Sequence, residues 1–589
     1  MDFTRRQCLL GLGLFFLQPA LSFTPCPLLG PTFPAPISIA NSPSVQSALK
    51  DLTSVFDETV KTANSTYGVT TPDTTTFSVS LFTVDDPSSK SDKGNDPFFY
   101  QYHHTAPTLK KSSSGVHTVD ANSIYRIGSL TPVFTVWTFL IQAGDGHWHE
   151  PVTKYVPELA KAAKSLNAKQ DPVSYVNWDD VTLGDLASHL AGIGTDYGIT
   201  DLVNKDIPFA KDGFPTLKKG EKPACGSDPV CKRAEFFTGF TKRKPVFLPG
   251  TTPIYSNAAF QILSYALESI TGKSFESMLK SSILNPTKMT SSSLFAPKKS
   301  NSGVIPGNET ASGWSLNLGD EAPASSIYST ITDLSKAGKA ILSSSFLTAT
   351  QTRRWLKPVT HTSNNANSVG RPWEIYSAKF GPKSTIIDIY TKTGTIGHYS
   401  SYIGFVPDYN AGFAILAADQ LVSPDLNVYA DQIAEVVLPA LVGAGQEEAH
   451  AAYGGVYNGT KKSSIDITAD DGEQGMSVTS LTNNGIDVRA ALATLNNIKP
   501  ADLSFRLYPT NLQSPAAKGK GSRRSFRAIY QDVTALEDAD TPTCITWMSV
   551  DALMYGSEAV DEFIFNLGED GKADSVEIPA LRLTLSKTD

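Results

Sequence analysis

Three short strings in this 589-residue chain carry the side-chain types that nucleophilic acyl transfer uses. Ser129 opens Ser129-Leu130-Thr131-Pro132 and brings a hydroxyl. Tyr255-Ser256-Asn257 brings a phenol with a primary amide two residues on, and Lys392-Thr393-Gly394 brings an ammonium. The local sequence says what must position each group. Val133 to Ile141 is apolar on nearly every side, which predicts a buried helix with Ser129 at its N-terminus. There the helix dipole favours negative charge and unpaired amides can help form an oxyanion hole, although a serine that merely caps the helix looks the same. Pro132 falls in the first turn, where a missing N–H costs little.

Around the second string, LPGTTPIYSNAAFQILSYALESITGKSF predicts a turn at proline and glycine, a short loop presenting Tyr255 and Asn257, and then a long helix. The third lies in STIIDIYTKTG, a strand pattern whose alternation puts Lys392 and Gly394 on one face and Thr393 on the other. SYIGFVPDY and AGFAILAAD follow as strands, joined by a turn over Asp408 to Gly412. TFSVSLFTV and FFYQYHH predict a strand pair near the N-terminus. Ser42 and Pro43 mark the start of a helix with Val45, Leu49, Leu52 and Val55 near one face. Helical patterns dominate from Thr131 to about Leu342; in DDVTLGDLASHLAGI, Asp180 or Thr182 can cap.

The order, separation and setting of the three strings resemble the serine β-lactamase and penicillin-binding-protein superfamily, and the second and third resemble class C-type β-lactamases and related esterases. DLASHLAGI and EPVTKYVPEL, with Glu150 at its start, fit two further segments of that pattern, so the resemblance spans roughly residues 45 to 440. It implies an α+β fold: an antiparallel sheet flanked by helices plus an all-helical subdomain. It also implies roles. Ser129 is the nucleophile, Tyr255 accepts or relays its proton, and Asn257 binds the substrate's amide or ester side chain. Lys392 supplies positive charge to the tyrosine and to a substrate carboxylate, on the strand that continues through Thr393 and Gly394. The backbone N–H of Thr395 completes the oxyanion hole with that of Ser129. The first motif of the superfamily is Ser-x-x-Lys, and here Pro132 stands in the lysine's place. Losing a general base costs about 10²–10⁴ in rate. Tyr255, its pKa lowered by Lys392, is then the sole side-chain base. The activity the resemblance implies is that of a serine hydrolase or acyltransferase on small esters, amides or thioesters, as in secondary metabolism. The alternative is a catalytically impaired member that binds a ligand in the same cleft.

Four parts are expected along the chain: a signal peptide over 1–22, a proline-rich arm over 23–42, the β-lactamase-like domain over 43–444, and a β-rich domain over 445–589. Arg5, Arg6 and the apolar run Cys8 to Leu17 carry the signal, which implies secretion. AGQEEAHAAYGGVYNG reads as a linker into an all-β unit whose strands include GIDVRAAL and TCITWMSV, and many fungal secreted relatives of the family carry a similar appendage. With Cys8 removed, four cysteines allow three pairings. The favoured one joins Cys225 to Cys231 and Cys26 to Cys544. Asn64, Asn308 and Asn458 head glycosylation sequons. A net charge of −8, with no basic concentration, argues against a nucleic-acid partner. The expected partner is a small-molecule acyl substrate, with no cofactor and no transmembrane segment after signal removal. His147-Trp148-His149 invites a metal reading, but no acidic cluster follows, so no metal is expected. Lys518 to Arg527 reads as a solvated hairpin loop, Ser277-Met-Leu-Lys280 as a surface helix, and His398 as a candidate to enter the cleft.

Overall fold

The computed structural model describes residues 25–84, 96–204, 209–218, 220–226, 229–380, 386–469, 472–516, 520–535 and 543–588. The signal segment lies outside the described residues. The chain divides into two compact units, one of Ala35–Phe380 with Thr385–Glu447, the other of Met1–Pro34, Gly381–Ser384 and Glu448–Asp589.

The first unit is built on eight strands: β1 Thr75–Thr83, β2 Tyr100–His104, β3 Thr360–His361, β4 Asn367–Val369, β5 Glu374–Lys379, β6 Ile386–Ile396, β7 Tyr399–Val406 and β8 Ala411–Asp419. They lie in the order β2-β1-β8-β7-β6-β5-β4-β3 and every pair is antiparallel. β1 runs beside β8, with Thr75 opposite Asp419 and Thr83 opposite Ala411, so the early and late segments do share one sheet. The period-2 pattern explains why β1 and β8 are buried at every position. Phe413, Ile415 and Ala417 join one core with Phe77, Val79 and Leu81, while Ala414, Leu416 and Ala418 face the other core with Phe82.

The first of these cores is covered by helices α1 Pro43–Thr62 and α5 Asn427–Tyr453; between them in sequence come α2 Thr131–Ala143, α3 Asn257–Thr271 and α4 Ile331–Leu342, which cover the other. Ser42 Oγ caps α1 by accepting from the Val45 N–H at 3.5 Å, and Pro43 takes the first position. Val45, Leu49, Leu52 and Phe56 then face the sheet. By length and composition α5 could cross a membrane, but 61% of its apolar window is buried in the protein.

Two local expectations in this unit need correction. Most of the linker string is helical: α5 continues to Tyr453, because AGQEEAHAAY contains strong helix formers and the first break is Gly454-Gly455. DDVTLGDLASHLAGI yields a helix of only five residues, Leu183–Ala187, started by a Thr182–Asp185 capping box and stopped where His189 adopts φ +60°.

The second unit is a closed barrel. Its strands are β9 Gly455–Asn458, β10 Ser464–Thr468, β11 Met476–Asn483, β12 Ile486–Asp487, β13 Leu503–Pro515, β14 Ser522–Asp532, β15 Glu562–Leu567, β16 Ala573–Ile578 and β17 Leu583–Lys587. The ring runs β9-β17-β16-β15-β14-β13-β11-β10 and closes on β9, with β12 appended to β11. Alternate residues, among them Ile465, Ile467, Phe505, Phe526, Phe563 and Phe565, fill its interior. Most of GIDVRAAL is helix α6 Val488–Leu495 rather than strand, because Asp487 Oδ1 accepts from the Ala490 N–H at 2.9 Å and alanines follow. In TCITWMSV, Thr546–Met548 is a single 3₁₀ turn. The basic run is not a solvated loop where described. On β14, Arg523 pairs with Glu577 of β16 and Arg527 with Asp561, just before β15. Cys26–Cys544 closes in this unit and Cys225–Cys231 in the first.

Candidate active site

Ser129 lies in the 3₁₀ turn Gly128–Leu130 that leads into α2. Its hydroxyl does not cap the helix: the N-cap is Leu130, with no side-chain bond. Instead Ser129 Oγ lies 3.1 Å from Ser325 Oγ, at the end of the one-turn helix Ala322–Ser325. Gly128 allows this turn to sit on β6. Its φ is +49°, and a methyl group there would lie 2.7–2.8 Å from the backbone atoms of Thr395. Only glycine permits that approach, which sets the Ser129 turn beside the Thr395 backbone. Pro132 is buried in the first turn of α2.

Tyr255 and Asn257 come from the loop that enters α3. Ser256 is the N-cap: its Oγ accepts from the Ala259 N–H at 3.1 Å and donates to the Gly194 carbonyl at 2.9 Å. His189 braces the same loop. Its backbone carbonyl accepts from the Ile254 N–H at 2.7 Å, its Nδ1 accepts from the Ser256 N–H at 3.4 Å, and its ring stacks on Tyr255 at 4.9 Å. The Tyr255 hydroxyl donates to Asn257 Oδ1 at 2.8 Å, and Asn257 Nδ2 reaches Asp196 Oδ2 at 3.4 Å. Burial, followed by the Lys392 charge, pushes the His189 imidazole down to about 3, so it is a neutral acceptor here.

The third string lies on β6, where Lys392 faces Ile403, Thr393 faces Tyr402 and Gly394 faces Ser401 of β7. Lys392 is 1% exposed. Its Nζ donates to Glu374 Oε1 at 2.5 Å and to the Thr393 carbonyl at 2.8 Å, and lies 5.5 Å from the Tyr255 ring centroid. The other Glu374 oxygen accepts from the Thr393 N–H and from Thr393 Oγ1, both at 2.9 Å. β5 begins at Glu374, so beyond Thr391 the strand β6 has no backbone partner on that side, and this carboxylate occupies the edge. The ammonium is therefore neutralised by Glu374.

One expectation is overturned: the Tyr255 pKa is raised rather than lowered. Burial pushes it well above the ordinary phenol range; Ser129, a hydrogen-bonding neighbour, opposes the rise, while Glu374, Asp196 and Glu321 add to it. Tyr255 keeps 36% of its surface open, but its hydroxyl is crowded by protein and carboxylates, which explains the direction. At neutral pH the phenol is protonated.

Ser129, Tyr255, Asn257, Lys392, Thr393, Gly394 and Thr395 thus gather in one place. Five contributors were not legible: Ser325, Glu374, His189, Asp196 and Glu321. His189 lies inside DLASHLAGI, the single signal that was available. Glu321 and Asp196 are 6% and 2% exposed. Burial, then the charge and hydrogen bond of Asp196, push the Glu321 carboxyl well above the carboxylate range, so Glu321 holds a proton. Next to the Asp196 end of the site lies a cavity of about 1360 Å³, walled by segments between Asp196 and Arg243.

The remaining candidates lie elsewhere. Asn64, Asn308 and Asn458 are all exposed, as glycan acceptors require. His147 Nδ1 is 2.5 Å from Glu150 Oε2 and 3.1 Å from the Tyr155 hydroxyl. Ser277 is exposed on the short helix Phe275–Leu279, and Lys280 is exposed directly after it. His398 sits in the β6–β7 turn, its backbone tied to Ser312 and Asp419.

An antiparallel sheet flanked by helices, with a serine before a buried helix, Tyr-Ser-Asn before another and Lys-Thr-Gly on a central strand, defines a β-lactamase-type protein. The chain belongs to the Beta-lactamase family, whose sequence model matches residues 93–438. That of the "Beta-lactamase-like-like, C-terminal domain" matches residues 445–589. A "Beta-lactamase-like protein" of Arthroderma benhamiae is 28% identical over 613 residues, covering 98% of each chain. The "Probable hydrolase clz13" of Cochliobolus lunatus is 24% identical, covering 83% of this chain and 82% of its own. Among solved structures, a class C beta-lactamase mutant aligns with 68% of this chain and 99% of its own, at 17% identity and a TM-score of 0.47.

Proposed function

We propose that the protein is a secreted serine hydrolase or acyltransferase that passes through an acyl-enzyme on Ser129 and acts on small esters, amides or thioesters, as in secondary metabolism. The observation that carries this reading is the meeting of Ser129, Tyr255 and Lys392 from three distant segments, with Lys392 Nζ 5.5 Å from the Tyr255 ring. Ser129 Oγ attacks the carbonyl carbon, and the Ser129 and Thr395 N–H groups hold the oxyanion. Because the phenol is protonated, Tyr255 acts as a relay: its oxygen takes the Ser129 proton while its own proton passes to the leaving group. Water or a second acceptor then receives the acyl group by the reverse path. Asn257 orients both Tyr255 and the substrate. Ser325 gives the nucleophile the hydrogen-bond partner that a lysine at position 132 would otherwise provide. The chemistry belongs to residues 43–444, and the unit over 445–589 is a separate, non-catalytic part. Secretion is supported by the two disulfides and by three exposed sequons, Asn64, Asn308 and Asn458. Labelling with a fluorophosphonate tests the proposal: wild type should label and Ser129→Ala should not. Equal labelling of the two ends the reading.

A second reading, an impaired enzyme that binds a ligand in this cleft, is favoured by Pro132 and by the hold of Glu374 on Lys392. Pro132→Lys separates the two. A gain of about 10²–10⁴ over an inactive wild type supports the impaired enzyme, and little change supports the tyrosine relay.

A further inference from the structure

A cavity bordered by residues between Asp196 and Arg243 starts beside the catalytic group. It holds about 1360 Å³, above the roughly 300–1,000 Å³ of ordinary small-molecule sites. One wall is the helix Arg233–Phe240. Phe236, Phe237 and Phe240 pack into the core, and the small residues Ala234, Thr238 and Gly239 are left to line the cavity. A methyl group on Gly239 would lie 1.9 Å from the Tyr197 ring, so that ring lines the cavity only because position 239 is bare.

The lining is apolar where it matters. Leu202, Phe214 and Leu217 keep 41%, 52% and 39% of their surface open, yet all three border this one cavity, and none belongs to a core cluster. Val246, Phe247 and Leu248, also exposed, follow the wall residues Lys242 and Arg243 and lead into the Tyr255 loop. Scattered exposed apolar side chains are ordinary, whereas a group gathered at one opening marks a binding surface. Charged residues of both signs line it, Asp196, Asp201, Glu221 and Glu235 against Lys222, Lys242 and Arg243, so no single-signed field selects an ion. The cavity meets the site through Asp196, which lines it and lies 3.4 Å from Asn257 Nδ2, one hydrogen bond from Tyr255.

We propose that this cavity receives an uncharged hydrocarbon arm of the substrate, so that the preferred substrates are esters or thioesters bearing a medium-chain or fused-ring apolar group. The inference rests on Ser129 being the acyl acceptor. The arm can belong to the acyl or to the alcohol half of the substrate.

The test has a catalytic and a binding readout on the full-length protein. Each buried methylene multiplies binding by about fourfold. kcat/KM for 4-nitrophenyl esters should therefore rise by about a hundredfold or more from acetyl to octanoyl if the arm is acyl. If the arm is the alcohol, the same rise should appear between methyl and octyl esters of one chromogenic acid. Independently of turnover, Ser129→Ala should bind 11-(dansylamino)undecanoic acid saturably. Phe214→Asp and Leu217→Asp in that background should each weaken binding at least about tenfold, the loss of a few buried methylenes. Val173→Asp, at an exposed position outside the cavity, is the matched control. Both variants change exposed residues, and an unchanged melting temperature certifies folding. Probe binding with no ester turned over would sink the catalytic reading and leave the arm site standing. Ester turnover with a flat chain-length profile in both series, or probe binding that Phe214→Asp and Leu217→Asp leave intact, would overturn the arm site.

Discussion

His189 ties the stability of the site to pH in a way that can be measured. It is 6% exposed, its carbonyl and Nδ1 hold the Tyr255 loop, and its ring stacks on Tyr255 and meets the edge of Phe260 at 5.2 Å. Burial, and then Lys392, push its imidazole down to about 3 from an unfolded value near 6.5. On acidification the unfolded chain binds this proton first. The stabilisation is therefore complete above the unfolded value and is lost as pH falls from about 6.5 towards 3, at about 1.4 kcal/mol per pH unit. Integrated to pH 4.5, the loss is about 2.7 kcal/mol. His189→Asn is the informative change. Asparagine tolerates the φ of +60° at this position, its side-chain oxygen can accept from the Ser256 N–H, and it does not titrate. Urea unfolding of full-length wild type and variant, from pH 7.5 to 4.5, should show the variant losing about 2.7 kcal/mol less than wild type over that range. Titrating carboxylates are common to both proteins and cancel in the difference. Two parallel curves would mean that His189 takes up its proton in the folded protein as readily as in the unfolded chain, and the account of the loop would fail.

Three further outcomes follow from the site. Because the Tyr255 pKa is raised, the phenolate is scarce at neutral pH; any phenolate-dependent component of Ser129 labelling should keep climbing beyond pH 10 without a plateau near 8, and Tyr255→Phe should remove that climb. Glu374→Gln leaves Lys392 buried without a counter-ion. With Glu374 28% exposed, the cost should be about 2–3 kcal/mol in denaturant unfolding, and Lys392→Met in that background should recover part of it. Gly128→Ala adds a methyl against the Thr395 backbone at φ +49°; it should cost about 2–4 kcal/mol and abolish fluorophosphonate labelling, as the Ser129 turn moves off β6.

What could be read in advance was local. Ser129 precedes a run apolar on every side, Tyr255 and Asn257 precede an amphipathic helix with a proline-glycine turn before it, and Lys392 lies in an alternating strand. Each of those elements is dictated by neighbours within a few positions, so their type and the faces they present were legible. The same reasoning failed where helix formers were read as linker or strand, as in AGQEEAHAAY, which continues α5, and GIDVRAAL, where Asp487 caps a helix.

The charge state of the site was a tertiary property. Nothing near Trp373-Glu374 says that its carboxylate will close on an ammonium across β6. Nothing near Glu321 says that burial beside Asp196 will keep it protonated, or near Ser325 that its hydroxyl will meet that of Ser129. By itself the sequence determined which side chains sit on which local elements. Only the packing of sheet against helices decided which charges face each other and how far water is excluded, and those two quantities set whether Tyr255 keeps its proton.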